Sequence, residues 1–315
     1  MTIGGLDLET FVAAMLTAGL LAAVPLSLAA LGEAVGERAG LLNLGIEGMM
    51  LAGAFFGFLA AEKTESATAG IGAGIGAGLI LGLLFGALTI TPRVDQVLVG
   101  LAITIFGGGL TAFLYRDIYG GQNPSLSLNL PEITIPILSE IPTIGGPLFD
   151  RQLLVYLSWA LVPCFALLLA RTRFGLSVRA VGENPVAADT AGVSVVRVRY
   201  LAIAVAGSMA GFAGAFLSVA DLGIFTVDVT VGQGFIALAL AMVGRWNPYR
   251  IFLGAILFGM LRALGDGLQI AGINVRSEFV TMLPYIGIMV ALALLAGRAA
   301  LPSALGVPYV RGDRR

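Results

Sequence analysis

Few residues in this chain stand where they could act on a solute or a proton. Asn43 and Glu47 are four apart in GLLNLGIEGMM, at the start of an apolar run, a spacing that puts both on one helix face. Arg262 and Asp266 are also four apart inside another apolar run, with Gln269 one turn onward. Gln233 lies in a third run, and Asp221 and Asp228 flank its approach. Polar and ionisable groups in such segments are costly and commonly serve a permeating solute, an ion or a proton relay. Each also admits a structural role. Asn43 suits capping the second helix. Glu47 could meet an arginine at the inner membrane surface. Arg262 and Asp266 could neutralise each other as an ion pair facing the bundle interior, or line a path.

The rest of the composition removes whole classes of chemistry. The chain has no histidine and one cysteine, Cys164, which excludes histidine-based triads, histidine metal ligands and an internal disulfide. A phosphate-cradling loop needs a Gly-Lys-Ser/Thr sequence. No such sequence occurs, and the single lysine is Lys63. The chain therefore cannot drive transport with ATP by itself. No cofactor is expected on it.

These residues must be positioned by membrane helices. Of 315 residues, 58% are hydrophobic and 12% charged, about half the charged fraction of soluble domains. The apolar residues fall in runs of about 20, the length that crosses the hydrocarbon layer. Nine candidate spans follow: 10–31, 44–61, 69–90, 97–115, 152–170, 199–220, 229–244, 251–271 and 279–297. The seventh has a short apolar core and reads as a half-helix or broken helix. The N-terminal stretch Met1–Thr10 has no basic residue, so no cleaved signal is expected. The fold class is an all-α polytopic bundle of about 8–10 spans, one transmembrane domain over 1–315.

Basic residues orient it. If the loop Arg171–Arg199 is cytoplasmic, 13 of the 18 basic residues lie inside: Arg38, Arg93, Arg171, Arg173, Arg179, Arg197, Arg199, Arg245, Arg250, Arg298, Arg311, Arg314 and Arg315. Lys63, Arg116, Arg151 and Arg276 lie outside. The C-terminus is then cytoplasmic, and nine spans put the N-terminus outside.

Two loops stand out. The outer loop 116–151 holds five prolines and an alternating Leu126, Leu128, Leu130, as in an extended segment. It reads as a packed cap or as a loop that grips a partner. In the inner loop, Asn184 suits an N-cap, Pro185 the first helical position and Gly192 a stop, which predicts a two-turn helix flanked by arginines. That helix either lies on anionic lipid headgroups or docks as a peg into another protein. Helix packing is written in glycine: Gly70, Gly74, Gly78, Gly82 and Gly86 recur every four residues in the third span, the spacing that lets two backbones approach in lipid. A dimer face is the other use of such a ridge.

Four strings carry a family resemblance. GERAGLLNLGIEGMMLAGAFFG (36–57) resembles the second-span signature of ABC importer permeases for ribose-type sugars, branched-chain amino acids and nucleosides. RTRFGLSVRAVGENPVAADTAGVSVVRVRY (171–200) is similar to that family's coupling segment. GQGFIALALAMVGRWNPYR (232–250) resembles the smaller permease of nucleoside importers that use a basic-membrane-protein lipoprotein. MLPYIGIMVALALLAGR (282–298) resembles the family's last span. The resemblance implies an inner-membrane permease subunit, paired with a larger homologous chain and fed by an extracytoplasmic lipoprotein. A cytosolic ATPase would dock on Arg179, Glu183, Asn184, Pro185, Asp189 and Gly192. Membrane lipid is its surrounding, and no nucleic acid is expected. Nucleosides are the implied cargo, with simple sugars such as ribose as the alternative. A stand-alone carrier using Glu47 or Asp266 as its ion site, and a non-transporting scaffold, are the readings from other classes.

Overall fold

A computed structural model describes residues 2–3, 6–128, 130–270, 276–295 and 301–310. Its helices are α1 (Leu8–Arg38), α2 (Ile46–Thr64), α3 (Ala67–Thr89), α4 (Gln96–Tyr119), α5 (Gly145–Phe149), α6 (Leu153–Arg171), α7 (Arg173–Glu183), α8 (Pro185–Thr190), α9 (Val195–Ala215), α10 (Gln233–Val243), α11 (Pro248–Ile270) and α12 (Ser277–Leu295). A π-helical turn, Phe216–Asp221, extends α9. Among the described residues, strands are confined to two short ribbons, Thr2–Ile3 with Leu6–Asp7 and Glu132–Thr134 with Asp150–Gln152.

The fold is all-α and polytopic. Among the described residues, six helices are long and apolar enough to cross a bilayer: α1, α3, α4, α6, α9 with its π-turn, and α11. The other three expected spans differ for physical reasons. The second is α2, 19 residues long but carrying Glu47, Glu62 and Lys63. The seventh is α10, whose 11 residues reach about 16 Å, roughly half the hydrocarbon thickness. The ninth is α12; its expected last residues, 296 and 297, lie outside the described residues, as do Arg298, Arg311, Arg314 and Arg315 of the inward basic set.

The core is built on α1, α2 and α9. Every residue of α1 from Ala23 to Glu37 is buried, the pattern of a helix that is covered on all sides. One wall of the core is a glycine seam. A methyl group at Gly78 of α3 would collide with the carbonyl oxygen of Gly207 in α9, and one at Gly74 would meet the Ala215 side chain. Gly53 of α2 sits equally tightly on Gly211. Backbones this close gain dispersion contacts that lipid cannot supply. Gly72 and Gly76, on the adjacent ridge of α3, have nothing within 4 Å.

At the end of the bundle away from α7, residues 116–151 fold onto the helices. Leu126 N–H donates to the Gly223 carbonyl at 2.7 Å, and Ser125 bridges to Ile224. Leu126, Leu128 and Leu130 are partly buried against the core, and Arg151 Nη2 donates to Thr17 Oγ1 at 2.8 Å.

Candidate functional site

The span between the π-turn and α11 is broken. Residues 222–232 form no regular helix, and α10 begins only at Gln233. The irregular part is held by aromatic packing: Phe225, 1% exposed, sits 5.3 Å from the Phe55 ring and 5.2 Å from the Tyr115 ring. Irregular backbone at membrane depth survives only where protein covers it or where it lines a cavity, because its polar groups need partners. Here Val231 N–H donates to Asp228 O at 2.9 Å and Gln233 N–H to Thr230 O at 2.9 Å. Val229 N–H donates to Thr226 O at 3.1 Å, and the Gly232 and Gly234 amides turn to Glu47.

Glu47 is 6% exposed and closes the start of the half-helix. Its Oε1 accepts from the Thr230 hydroxyl and from Gly232 N–H at 2.9 Å, and its Oε2 accepts from Gly234 N–H at 2.6 Å. A carboxylate at a helix N-terminus pairs with unsatisfied amides and with the positive end of the dipole. Gly234 permits the approach, since a Cβ there would lie 2.7 Å from the Glu47 backbone. The expected arginine partner of Glu47 is thus replaced by a helix end. Val231, beside it, is held at φ +46, a left-handed conformation that strains a β-branched residue.

Asn43 also differs from its expected place. It precedes α2 rather than lying on it, so it shares no helix face with Glu47. It does not cap α2, whose N-cap is Gly45. Its Oδ1 accepts from Gly45 N–H at 3.1 Å, and its Nδ2 donates to Glu33 Oε2 at 3.3 Å. Glu33 and Glu37, four apart on α1, are fully buried, and Glu37 accepts from the Trp246 indole. Both acids share the four-residue spacing of Arg262 and Asp266. Sequence reading missed them because the first apolar run was ended at residue 31.

Arg262 and Asp266 form no ion pair with each other. Both are exposed and face a cavity of about 260 Å³ with Gln233, Phe258 and Tyr285. Arg262 instead interacts electrostatically with Asp221. Gln233 is 4% exposed, and its Oε1 has no hydrogen-bond partner in the protein. Tyr285 donates to the Val231 carbonyl at 3.0 Å and stands edge-on to Phe258, 6.2 Å between rings. Gln269 is exposed one turn farther and is not part of that wall. Phe258 and Pro284 also border an apolar cavity of about 430 Å³ that runs along α10 and α11 to Arg245 and Arg250. The two cavities lie side by side beside the half-helix and share Phe258 and Pro284 as lining.

The loop between α6 and α9 holds two helices where one was expected. Asn184 Oδ1 accepts from Ala187 N–H at 2.9 Å, Pro185 opens α8, and Gly192 follows it at φ +86. The unexpected helix is α7, capped by Thr172, whose Oγ1 accepts from Gly175 N–H at 3.0 Å. Its stripe Phe174, Val178, Val181 was the legible signal, and both valines are fully buried. Glu183, Asn184, Val186, Ala187 and Thr190 are exposed on or beside α8, while Ala188 is buried and Arg179 is half-buried.

A C-terminal segment fastens this region to the bundle. Ala304 N–H donates to Gly182 O at 2.9 Å, and Gly306 N–H to Gly40 O at 3.2 Å. Arg199, 2% exposed, donates to Ala39 O at 3.2 Å and Val307 O at 3.1 Å. The end of α7, the α1–α2 connection and the start of α9 are thereby tied together.

The family described as branched-chain amino acid transport system, permease component, matches residues 15–297. A Haloferax volcanii protein, provisionally named a glucose ABC transporter permease, is 42% identical over 81% of this chain and 78% of its own. A nucleoside ABC transporter permease of Lactococcus lactis is 35% identical over 93% and 95%. A guanosine ABC transporter permease of Bacillus subtilis is 34% identical over 98% and 100%. No solved structure matches the chain.

Proposed function

Because the chain belongs to the family of branched-chain amino acid transport system permease components, and is a transmembrane permease component of an ABC importer, we propose that its cargo is a nucleoside. The observation that carries the cargo class is the Glu47 cap. The half-helix end, the natural seat for an anion, is already filled by the chain's own carboxylate. An amino-acid carboxylate would have to compete with Glu47, whereas an uncharged cargo would not. The adjoining cavity offers acceptors on Gln233 and Asp266, donors on Arg262, and the rings of Phe258 and Tyr285. Such a set suits a base with both donor and acceptor edges. Near end-to-end similarity to the nucleoside and guanosine permeases supports the same cargo.

In this reading the groove beside α10 is one wall of the pathway, and a larger homologous permease supplies the other. ATP is hydrolysed on a separate cytosolic ATPase that docks on α8 through Glu183, Asn184 and Asp189, with Arg179 behind them. A lipoprotein receptor delivers cargo at the capped end, and the basic residues keep the C-terminus in the cytoplasm. A sugar cargo is the second reading, favoured by the Haloferax relative.

The test is uptake of guanosine, glucose and leucine in cells lacking the gene, with the intact chain restored. Restoration of guanosine uptake alone is expected. Restoration of glucose uptake alone moves the cargo to sugars, and restoration of leucine uptake overturns the argument from Glu47. A restored chain lacking 183–192 is expected to reach the membrane and import nothing.

A further inference from the structure

A second cavity, separate from the groove's polar end, opens at the coupling end. It measures about 440 Å³ and brings together Arg38, Arg179, Arg245 and Arg250, which come from α1, α7 and the α10–α11 region. Guanidinium groups gathered at one cavity favour an anion between them. Arg38 is repelled by Arg179 and attracted by Glu183. Its Nε has no hydrogen-bond partner in the protein. Glu37, next to Arg38, accepts from the Trp246 indole. The start of α11 is already capped, since Asn247 Oδ1 accepts from Tyr249 N–H at 3.0 Å and Arg250 N–H at 3.3 Å, which leaves the arginines as the donors for an anion.

The cavity is also amphipathic. Trp246 and Tyr249 stand beside the arginines, with the Arg38 guanidinium 5.8 Å over the Trp246 ring. Aromatic residues of this kind mark the level of lipid headgroups. The opposite wall is Ala166, Leu169 and Ala170, the last turns of the membrane helix α6. A soluble anion has no use for an apolar flank, whereas an acyl chain does.

We propose that this cavity holds the phosphodiester headgroup of an anionic phospholipid, gripped by the arginines, with an acyl chain laid along the end of α6. Arginine forks match phosphate oxygens in pairs, and basic pockets between membrane helices are known seats for such headgroups. Bound there, the lipid would join α1, α6, α7 and α11, so the packing of α7 would depend on it.

The test uses the intact chain purified in non-ionic detergent and titrated with phosphatidylglycerol or phosphatidylcholine, with retained lipid read by native mass spectrometry. Phosphatidylglycerol is expected to be retained preferentially. Arg38→Gln with Arg179→Gln is expected to weaken its retention by about fivefold per arginine. Arg171→Gln with Arg173→Gln removes the same charge from exposed positions outside the cavity and is expected to leave retention unchanged. Should the first pair fail to fold, Arg250→Gln, at an exposed position, gives the same reading. Equal retention of both lipids, or equal loss from both arginine pairs, overturns the proposal. Full displacement of the lipid by inorganic phosphate assigns the site to a free anion and overturns the lipid source. Binding of neither lipid nor phosphate leaves the arginines to an acidic protein partner and also overturns it.

Discussion

The glycine seam between α3 and α9 and the break before α10 both bring one backbone hard against another, and they do so for opposite reasons. In the seam, Gly78 lies on Gly207, backbone against backbone. Every amide there is already satisfied within its own helix, so closeness yields dispersion and rigidity. At the break, Gly234 lies on the backbone of Glu47 so that a carboxylate can reach amides that no helix satisfies. The seam tolerates no added volume. The break tolerates no lost acceptor. Under the proposed function, the seam would serve as a wall that holds and the break as an element that can be re-satisfied in a second position.

The largest effect expected from this comparison is at Glu47. Glu47→Ala removes the acceptor for two amides and a hydroxyl. Each orphaned buried donor costs roughly 1–3 kcal/mol, so a loss of about 3–9 kcal/mol is expected. Glu47→Gln keeps one acceptor oxygen and should lose about half as much. Thermal unfolding of the detergent-solubilised chain, followed by circular dichroism, reads both. An alanine variant as stable as the parent would mean that the half-helix end finds other partners.

Gly78→Ala is next. The new methyl group meets a carbonyl oxygen across the seam, and overpacking of this kind costs about 1–3 kcal/mol. Combined with Glu47→Gln, the losses should add, because the two sites share no partner. Coupling between them in the same melting experiment would break the division into a holding wall and a resettable element.

Much of the seam was legible in sequence, because a four-residue glycine repeat has one simple geometric use. The shortness of the seventh apolar run likewise announced a half-helix. What occupied its end was not legible. Glu47 and Gly234 are 187 positions apart, and nothing local to either says that they meet. Arg262 and Asp266 misled for a related reason: spacing shows which residues can touch, while in the fold both line one cavity without forming an ion pair. The cap at Asn184 could be read because a cap is local, and α7 escaped because its polar face resembled loop.

A smaller effect is expected at the polar end of the groove. Asp266→Asn exchanges an acceptor for a mixed donor and acceptor at an exposed position, so folding should be unaffected. If Asp266 meets the cargo, one hydrogen bond is weakened, worth about 1 kcal/mol or roughly fivefold in the KM for guanosine uptake. Uptake at saturating cargo should be unchanged. A fall in maximal uptake at constant KM would place Asp266 in the motion of α11 rather than in the wall that cargo touches.

The smallest effect sharpens the comparison most. Gly72 and Gly76 share the repeat spacing of the seam but face away from it, with nothing within 4 Å of either. Changing both to alanine should alter stability by no more than about 0.5 kcal/mol per site, with any gain coming from the better helix propensity of alanine. The same pair changed to leucine should behave alike if that face meets lipid, since lipid yields to a side chain and a packed helix does not. Normal melting of the leucine pair, together with lost uptake in cells, would show that a second subunit presses on this ridge. The α3 helix would then carry two glycine faces, one closing the chain on itself and one closing the complex.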